Sequence, residues 1–329
     1  TALLFLGWAG LLLFSLGVAR CAGLEGAPEW LQLLFGLGAL LCGDLFRVHL
    51  NGLETSLVLA AIIWTVIGTT ERWPAVPFGA FLGVLPFLRP ELAVLGAMCF
   101  IVWAMGQRHW RVRLTGFAVG LIVFAALLSM QAVLSGGVLP RTGDAKTIFF
   151  DGAPGIITGL IPTIHQQTTW FFLVVAGVLS FAMIAPNYTR PASLVVTAFG
   201  LAVLPLLVVK YPSFMGQNHY RYLYILFPVA LINAAVWCGS GPRARTIVVA
   251  LLAASLVQSG WSLTRDWGER ADEVADKRGT LAATAAWVDA RMRPGETMLV
   301  HDIGYVSYAL DRPLFDIVGL RSSRAIEVN

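Results

Sequence analysis

Long apolar runs separated by short polar segments dominate the chain up to Leu263. A straight transmembrane helix needs about 20 apolar residues, and shorter runs are tolerated where they line a cavity or pack against neighbouring helices. We therefore predict about ten transmembrane helices. The runs are Ala2–Ala19, Trp30–Cys42, Thr55–Thr69, Ala75–Leu88, Leu92–Met105, Leu114–Leu134, Trp170–Ala185, Ser193–Val209, Tyr222–Cys238 and Thr246–Leu263.

The pattern changes after Leu263, because residues 264–329 hold 20 of the 42 charged residues. Trp267–Met292 has the composition and apolar face of a helix, Thr297–Val300 and Leu314–Val318 resemble buried strands, and a short helix is predicted at Tyr305–Leu310. Parallel pairing of the strands fits this order without being required by it. The predicted fold class is an all-α polytopic membrane domain over residues 1–263, followed by a small α/β domain over residues 264–329.

Composition supports this assignment. Apolar residues make up 57% of the chain and charged residues 13%, about half the charged fraction of an ordinary soluble domain. A water-soluble protein of this size does not hide so much apolar surface. The composition therefore excludes a soluble enzyme, a disordered tail and a nucleic-acid binder with a basic patch, and it predicts an integral protein of the lipid bilayer.

Short basic loops predict the orientation. Gln107–Arg113 contains three arginines and Gly239–Arg245 contains two, and neither loop has an acidic residue. Such loops are enriched on the cytoplasmic side. Alternating the spans from there places Arg20 and Arg72 on the same side and the C-terminal domain outside.

The same alternation gathers ionisable residues on the outer face. Such groups cost about 2.5–3.5 kcal/mol at mid-bilayer, so they tend to face a cavity and serve a purpose. Arginines and a lysine suit an anionic, phosphate-bearing substrate, and the carboxylates can act as a base. The candidates are Glu54, Arg89, Glu91, Arg141, Lys146, His219, Arg221 and Tyr222.

Structural explanations compete with each candidate. Glu54 can serve only as a carboxylate at a helix start, and Arg89 with Glu91 can form a structural ion pair. Arg141 and Lys146 can be solvated loop charges, and His219 can belong to an aromatic belt at the membrane surface. Gly116 and Gly120 are assigned to helix packing alone. The sequence shows no metal-ligand cluster, so neither a metal nor a cofactor is expected.

In order and spacing, several short motifs resemble the GT-C superfamily of glycosyltransferases that use polyprenyl-phosphate sugars. Among these, the chain is most similar to the membrane arabinofuranosyltransferases that cap mycobacterial arabinan. The motifs are Gly52-Leu53-Glu54-Thr55, Leu88-Arg89-Pro90-Glu91, Leu139-Pro140 with Ala145-Lys146-Thr147, Arg221-Tyr222-Leu223 leading to Pro228, and Asp302-Ile303-Gly304-Tyr305 with Arg312-Pro313 and Asp316-Ile317-Val318-Gly319-Leu320.

The resemblance implies a function and roles for residues. It implies an enzyme of the bacterial plasma membrane that passes a sugar, arabinofuranose in the family named, from a polyprenyl-phosphate donor to a cell-envelope glycan or protein. Glu54 and Glu91 would assist catalysis, and the main catalytic Asp of the family is expected upstream of Thr1. Donor phosphate and substrate would be bound by the remaining candidates together with Asp302. The chain departs from the family at Thr142-Gly143-Asp144, where the family usually carries an aromatic pair.

A second function fits the same residues. A transporter or flippase of lipid-linked sugars would share the cavity and the basic side chains, but it would have no need of the C-terminal domain. Transfer of the sugar to an acceptor, as opposed to movement of the unaltered lipid, distinguishes the two.

Overall fold

The computed structural model describes residues 2–42, 54–135, 191–210, 223–300 and 309–316, and their backbone is mostly helical. The chain divides into two compact units. The first comprises Thr1–Met130 with Pro154–Leu263, and the second comprises Gln131–Ala153 with Thr264–Asn329. The division after Leu263 falls inside a continuous helix, Pro242–Lys277.

The described elements follow one another with short turns. They are α1 Ala2–Leu24, α2 Glu29–Leu40, α3 Thr55–Thr70, α4 Ala75–Leu88, α5 Leu92–Met105, α6 Trp110–Ser135, α7 Pro191–Lys210, a 3₁₀ turn at Leu223–Ile225, α8 Leu226–Cys238, α9 Pro242–Lys277, a π-helical turn at Arg278–Ala282, α10 Ala283–Arg291, and strands β1 Met298–Val300 and β2 Leu314–Asp316.

The prediction of an all-α polytopic membrane domain with about ten transmembrane helices is wrong. Among the described residues, two helices are long and apolar enough to cross a membrane, over Leu4–Leu24 and Trp110–Leu134. Helices α2 to α5 and α8 have 12 to 16 residues, or about 18–24 Å at about 1.5 Å per residue. The hydrocarbon core is about 30 Å thick, so apolar composition does not make these helices spans. The predicted span Trp170–Ala185 lies outside the described residues.

Helix α1 packs along α3 through small residues. A Cβ atom on Gly10 would lie 2.8 Å from Ser56 Oγ, and one on Gly17 would meet Ile63 Cγ2. The constant offset between these pairs shows that the two helices run in the same direction. Phe14 is fully buried on the packed side of α1, whereas Phe5 on the other side is 72% exposed. One side of α1 thus belongs to the core and the other presents apolar side chains.

Helix α6 is attached to α4 by glycines. The carbonyl oxygens of Gly116 and Gly120 lie where Cβ atoms on Gly79 and Gly83 would be, the latter at 2.5 Å. Two small-xxx-small pairs therefore let the backbones approach closely. This confirms the packing role predicted for Gly116 and Gly120. Beyond these contacts, much of α6 exposes apolar side chains, as at Ile122 with 66% exposure.

The second unit contains a small parallel sheet. Met298 of β1 pairs with Leu314 of β2, and both strands lie inside the ranges in which the sequence predicts strands. Ala285 of α10 and Leu310 form its buried cluster. Most of the helix predicted at Tyr305–Leu310 lies outside the described residues.

The glycine contact gives a test of the packing. We expect Gly79→Ala to destabilise the protein, because its Cβ would meet the backbone carbonyl of Gly116, which cannot turn away as a side chain can. Overpacking of this kind costs about 1–3 kcal/mol, more than the gain in helix propensity of up to about 1 kcal/mol. The free energy of unfolding in mild detergent is the measurement.

Gly38→Ala is the matched control for this substitution. Its added Cβ would make only an ordinary contact, 3.9 Å from Leu252 Cδ2, so we expect stability to be unchanged or increased. Equal stability of the two variants would show that the glycine contact does not hold α4 and α6 together.

Candidate functional site

Three helix ends meet at Arg89. Helix α4 ends at Leu88, and Arg89 follows with an extended backbone, φ −157° and ψ 139°, as the steric effect of a following proline favours. Pro90 and Glu91 then lead into α5, with Glu91 at its N-cap position. Glu54 occupies the corresponding position before α3. The local sequence therefore places one cation at a helix C-terminus and one carboxylate at each of two helix N-termini.

The guanidinium of Arg89 contacts both carboxylates. Its Nε and Nη2 donate to Glu54 Oε1 at 3.3 and 3.2 Å, and its Nη1 donates to Glu91 Oε1 at 3.5 Å. Nη2 also lies 3.4 Å from Thr55 Oγ1. We refer to Glu54, Arg89 and Glu91 as the Arg89 triad.

Burial differs sharply within the triad. The side chain of Arg89 is 5% exposed and that of Glu91 is 11% exposed, whereas that of Glu54 is 38% exposed. A guanidinium removed from water needs charged partners to offset its desolvation. Arg89 and Glu91 are therefore the buried part of the triad, and Glu54 is the group that a substrate can reach.

The electrostatics of the triad favour a carboxylate chemistry. One guanidinium faces two carboxylates, so the ionised triad carries a net charge of −1. The helix dipoles complement this arrangement, since α3 and α5 direct their positive ends at the carboxylates and α4 directs its negative end at Arg89. Glu54 can accept a proton or a hydrogen bond while the buried pair holds it in place. A phosphate at Arg89 would have to compete with the carboxylates for the guanidinium.

The sequence-predicted site residues are only partly described. The structure brings Glu54, Arg89 and Glu91 together from three helix ends, although Glu54 and Arg89 are 35 positions apart. The other predicted site residues lie outside the described residues, and their roles stay predictions. These are Arg141, Lys146, His219, Arg221, Tyr222 and Asp302. Among the described residues, no three His, Cys, Asp or Glu side chains are grouped as metal ligands.

Thr55 is a member of the site that the sequence did not single out as a site residue. Its side chain is fully buried, and its hydroxyl oxygen is within reach of Arg89 Nη2. Its position next to Glu54, at the first residue of α3, is the signal in the sequence that points to it.

The burial of Arg89 predicts its effect on stability. We expect Arg89→Met to lower the free energy of unfolding by on the order of 3 kcal/mol, because it leaves the buried Glu91 carboxylate without its cation. Arg20→Met is the control, since Arg20 pairs with Glu71 but its side chain is 60% exposed, and exposed pairs contribute under about 1 kcal/mol. Equal losses in the two variants, measured by unfolding in mild detergent, would contradict a structural role for the triad.

The comparisons with known proteins concern the second unit. Residues 270–328 match a family model described as a domain of unknown function, DUF8728. No curated protein and no solved structure matches the chain.

Proposed function

We propose that this chain is a membrane glycosyltransferase that passes a sugar from a polyprenyl-phosphate donor to a hydroxyl group of a cell-envelope glycan or protein. The observation that carries the proposal is the Arg89 triad, in which a buried guanidinium holds a partly exposed carboxylate, Glu54, at a meeting point of helix ends. The motifs shared with the arabinofuranosyltransferases make arabinofuranose the first donor sugar to test.

In the proposed reaction Glu54 accepts the proton of the acceptor hydroxyl. The acceptor oxygen forms a bond to the anomeric carbon of the sugar, and the bond from that carbon to the phosphate oxygen breaks. The electron pair of this bond leaves with the polyprenyl phosphate. General base catalysis of this kind typically contributes a factor of about 10²–10⁴ in rate.

A lipid-linked donor requires a site near the bilayer, and the exposed apolar surface of α1 and α6 supports that location. Two of the described helices are long and apolar enough to cross a membrane. The sidedness is part of the proposal: a bacterial plasma membrane, with the triad and the second unit on the extracytoplasmic side.

The proposed roles within the triad follow from burial and charge. Arg89 and Glu91 position Glu54, because Arg89 donates from Nε and Nη2 to a single Glu54 oxygen. Positive charge for the departing phosphate is assigned to Lys146 and Arg221, with Arg141, His219, Tyr222 and Asp302 in contact with substrate. Arg89 remains a candidate for the same phosphate if the donor displaces one carboxylate.

We expect Glu54→Gln to lower transfer by at least about 100-fold, because the amide is nearly isosteric but cannot accept the proton. The assay follows radiolabelled sugar from a polyprenyl-phosphate donor to an acceptor in membranes that contain the full-length protein. Glu29→Gln is the control, since Glu29 lies in the first turn of α2 and is exposed. It should leave transfer unchanged.

The same membranes distinguish the transporter. Movement of the unaltered lipid-linked sugar across the bilayer, with no sugar on the acceptor, would replace the enzyme by a flippase. Full transfer activity in a folded Glu54→Gln variant would refute the proposed base.

Arg89→Lys separates the two roles considered for Arg89. Lysine keeps the charge but cannot direct two N–H groups from one plane, so we expect a rate loss of about tenfold, equivalent to about 1.4 kcal/mol. If Arg89 positions Glu54, the loss falls on kcat and the KM for the donor is unchanged. A raised donor KM with unchanged kcat would instead assign Arg89 to the phosphate.

A further inference from the structure

A cluster of arginines lies at the end of the helices opposite to the Arg89 triad. Helix α3 ends at Thr70, α5 ends at Met105 and α6 begins at Trp110. The connecting segments and the first turn of α6 carry Arg72, Arg108, Arg111 and Arg113, all of them exposed. We call these four residues the basic patch.

Contacts place the members of the basic patch together. A Cβ atom on Gly106 would lie 3.0 Å from Arg72 Nε, so the side chain of Arg72 rests on the turn that follows α5. Arg113 folds back on the same turn and donates from Nε and Nη2 to the carbonyl oxygen of Gln107 at 3.1 and 2.5 Å. Arg72 is thereby joined to the segment that carries the other three arginines.

The positive charge of the basic patch is not offset by neighbouring carboxylates in the sequence. Between Arg72 and Ser135 the chain contains one carboxylate, Glu91, which lies at the opposite end of α5. Glu71 directly precedes the patch, but Arg20 pairs with its Oε1 and Trp73 Nε1 donates to its Oε2 at 3.1 Å. The patch therefore presents four positive charges beside an ion pair that is already neutral.

The basic patch continues into an apolar surface. Trp110 is 65% exposed, and the guanidinium of Arg111 lies 6.0 Å from the centre of its ring. The next turns of α6 expose Leu114, Phe117 and Leu121 by 53–55%. Tryptophan and arginine beside an apolar helix are typical of the layer where lipid headgroups meet the hydrocarbon.

We propose that the basic patch binds the anionic headgroups of the leaflet at which α6 begins. A leaflet covers both parts of this surface, because phosphates meet the arginines while acyl chains meet Leu114 and Phe117. An acidic soluble partner would cover the arginines and leave the adjoining apolar side chains in water. Each arginine at an anionic membrane surface favours binding by about fivefold.

Lipid competition tests this proposal without any sugar transfer. The full chain in mild detergent is given equimolar dioleoylphosphatidylglycerol and dioleoylphosphatidylcholine at low ionic strength, and native mass spectrometry counts the lipids retained. We expect at least a tenfold preference for phosphatidylglycerol, which decreases with added salt because exposed charges are screened. Arg108→Gln with Arg111→Gln should reduce the preference at least fivefold.

Two control variants isolate the charge of the patch. Arg108→Lys with Arg111→Lys keeps the charge and should keep the preference, which excludes a folding defect at these positions. Arg291→Gln with Arg293→Gln removes two exposed arginines of the second unit and should also keep it. Equal retention of the two lipids by the unaltered chain, or an unchanged preference after Arg108→Gln with Arg111→Gln, would overturn the proposal.

Discussion

The burial of a single guanidinium organises the described helices around Arg89. A group with 4% exposure must find acceptors inside the protein for its N–H donors, since water cannot supply them. The acceptors come from the starts of α3 and α5, so satisfying Arg89 ties both helix starts to the end of α4. The same contacts hold Glu54 in one place while leaving part of it accessible. A stabilising interaction and a candidate reactive carboxylate are therefore one feature of the fold.

The two ends of this helix group have opposite electrostatic character. The Arg89 triad has a net negative charge, and the basic patch presents four arginines at the other end of α5. Helix α5 has 14 residues, which separates the ends by about 21 Å. The glycosyltransferase proposal depends on the first end and the lipid-headgroup proposal on the second. Each can therefore fail without the other.

Helix α6 shows how one packing contact determines what a helix exposes. Its attachment to α4 uses glycines, whose missing side chains let the backbones approach closely. Because that contact needs only a narrow strip of α6, side chains such as Phe117 and Leu121 remain on the outside. This arrangement makes α6 both part of the bundle and the described helix with the strongest claim to cross a membrane.

The sequence by itself determined the apolar composition, several helix limits, the strand positions and the identity of the triad residues as candidates. It led to too many transmembrane helices, because hydropathy registers apolar residues but helix length decides whether a run reaches across the bilayer. Only the tertiary structure decided that Glu54 and Glu91 share Arg89. That contact joins Glu54 and Arg89 across 35 positions, and it forms only when the packing of three helices brings their ends within hydrogen-bonding distance. No local pattern carries that information, since packing depends on the side chains of all three helices at once.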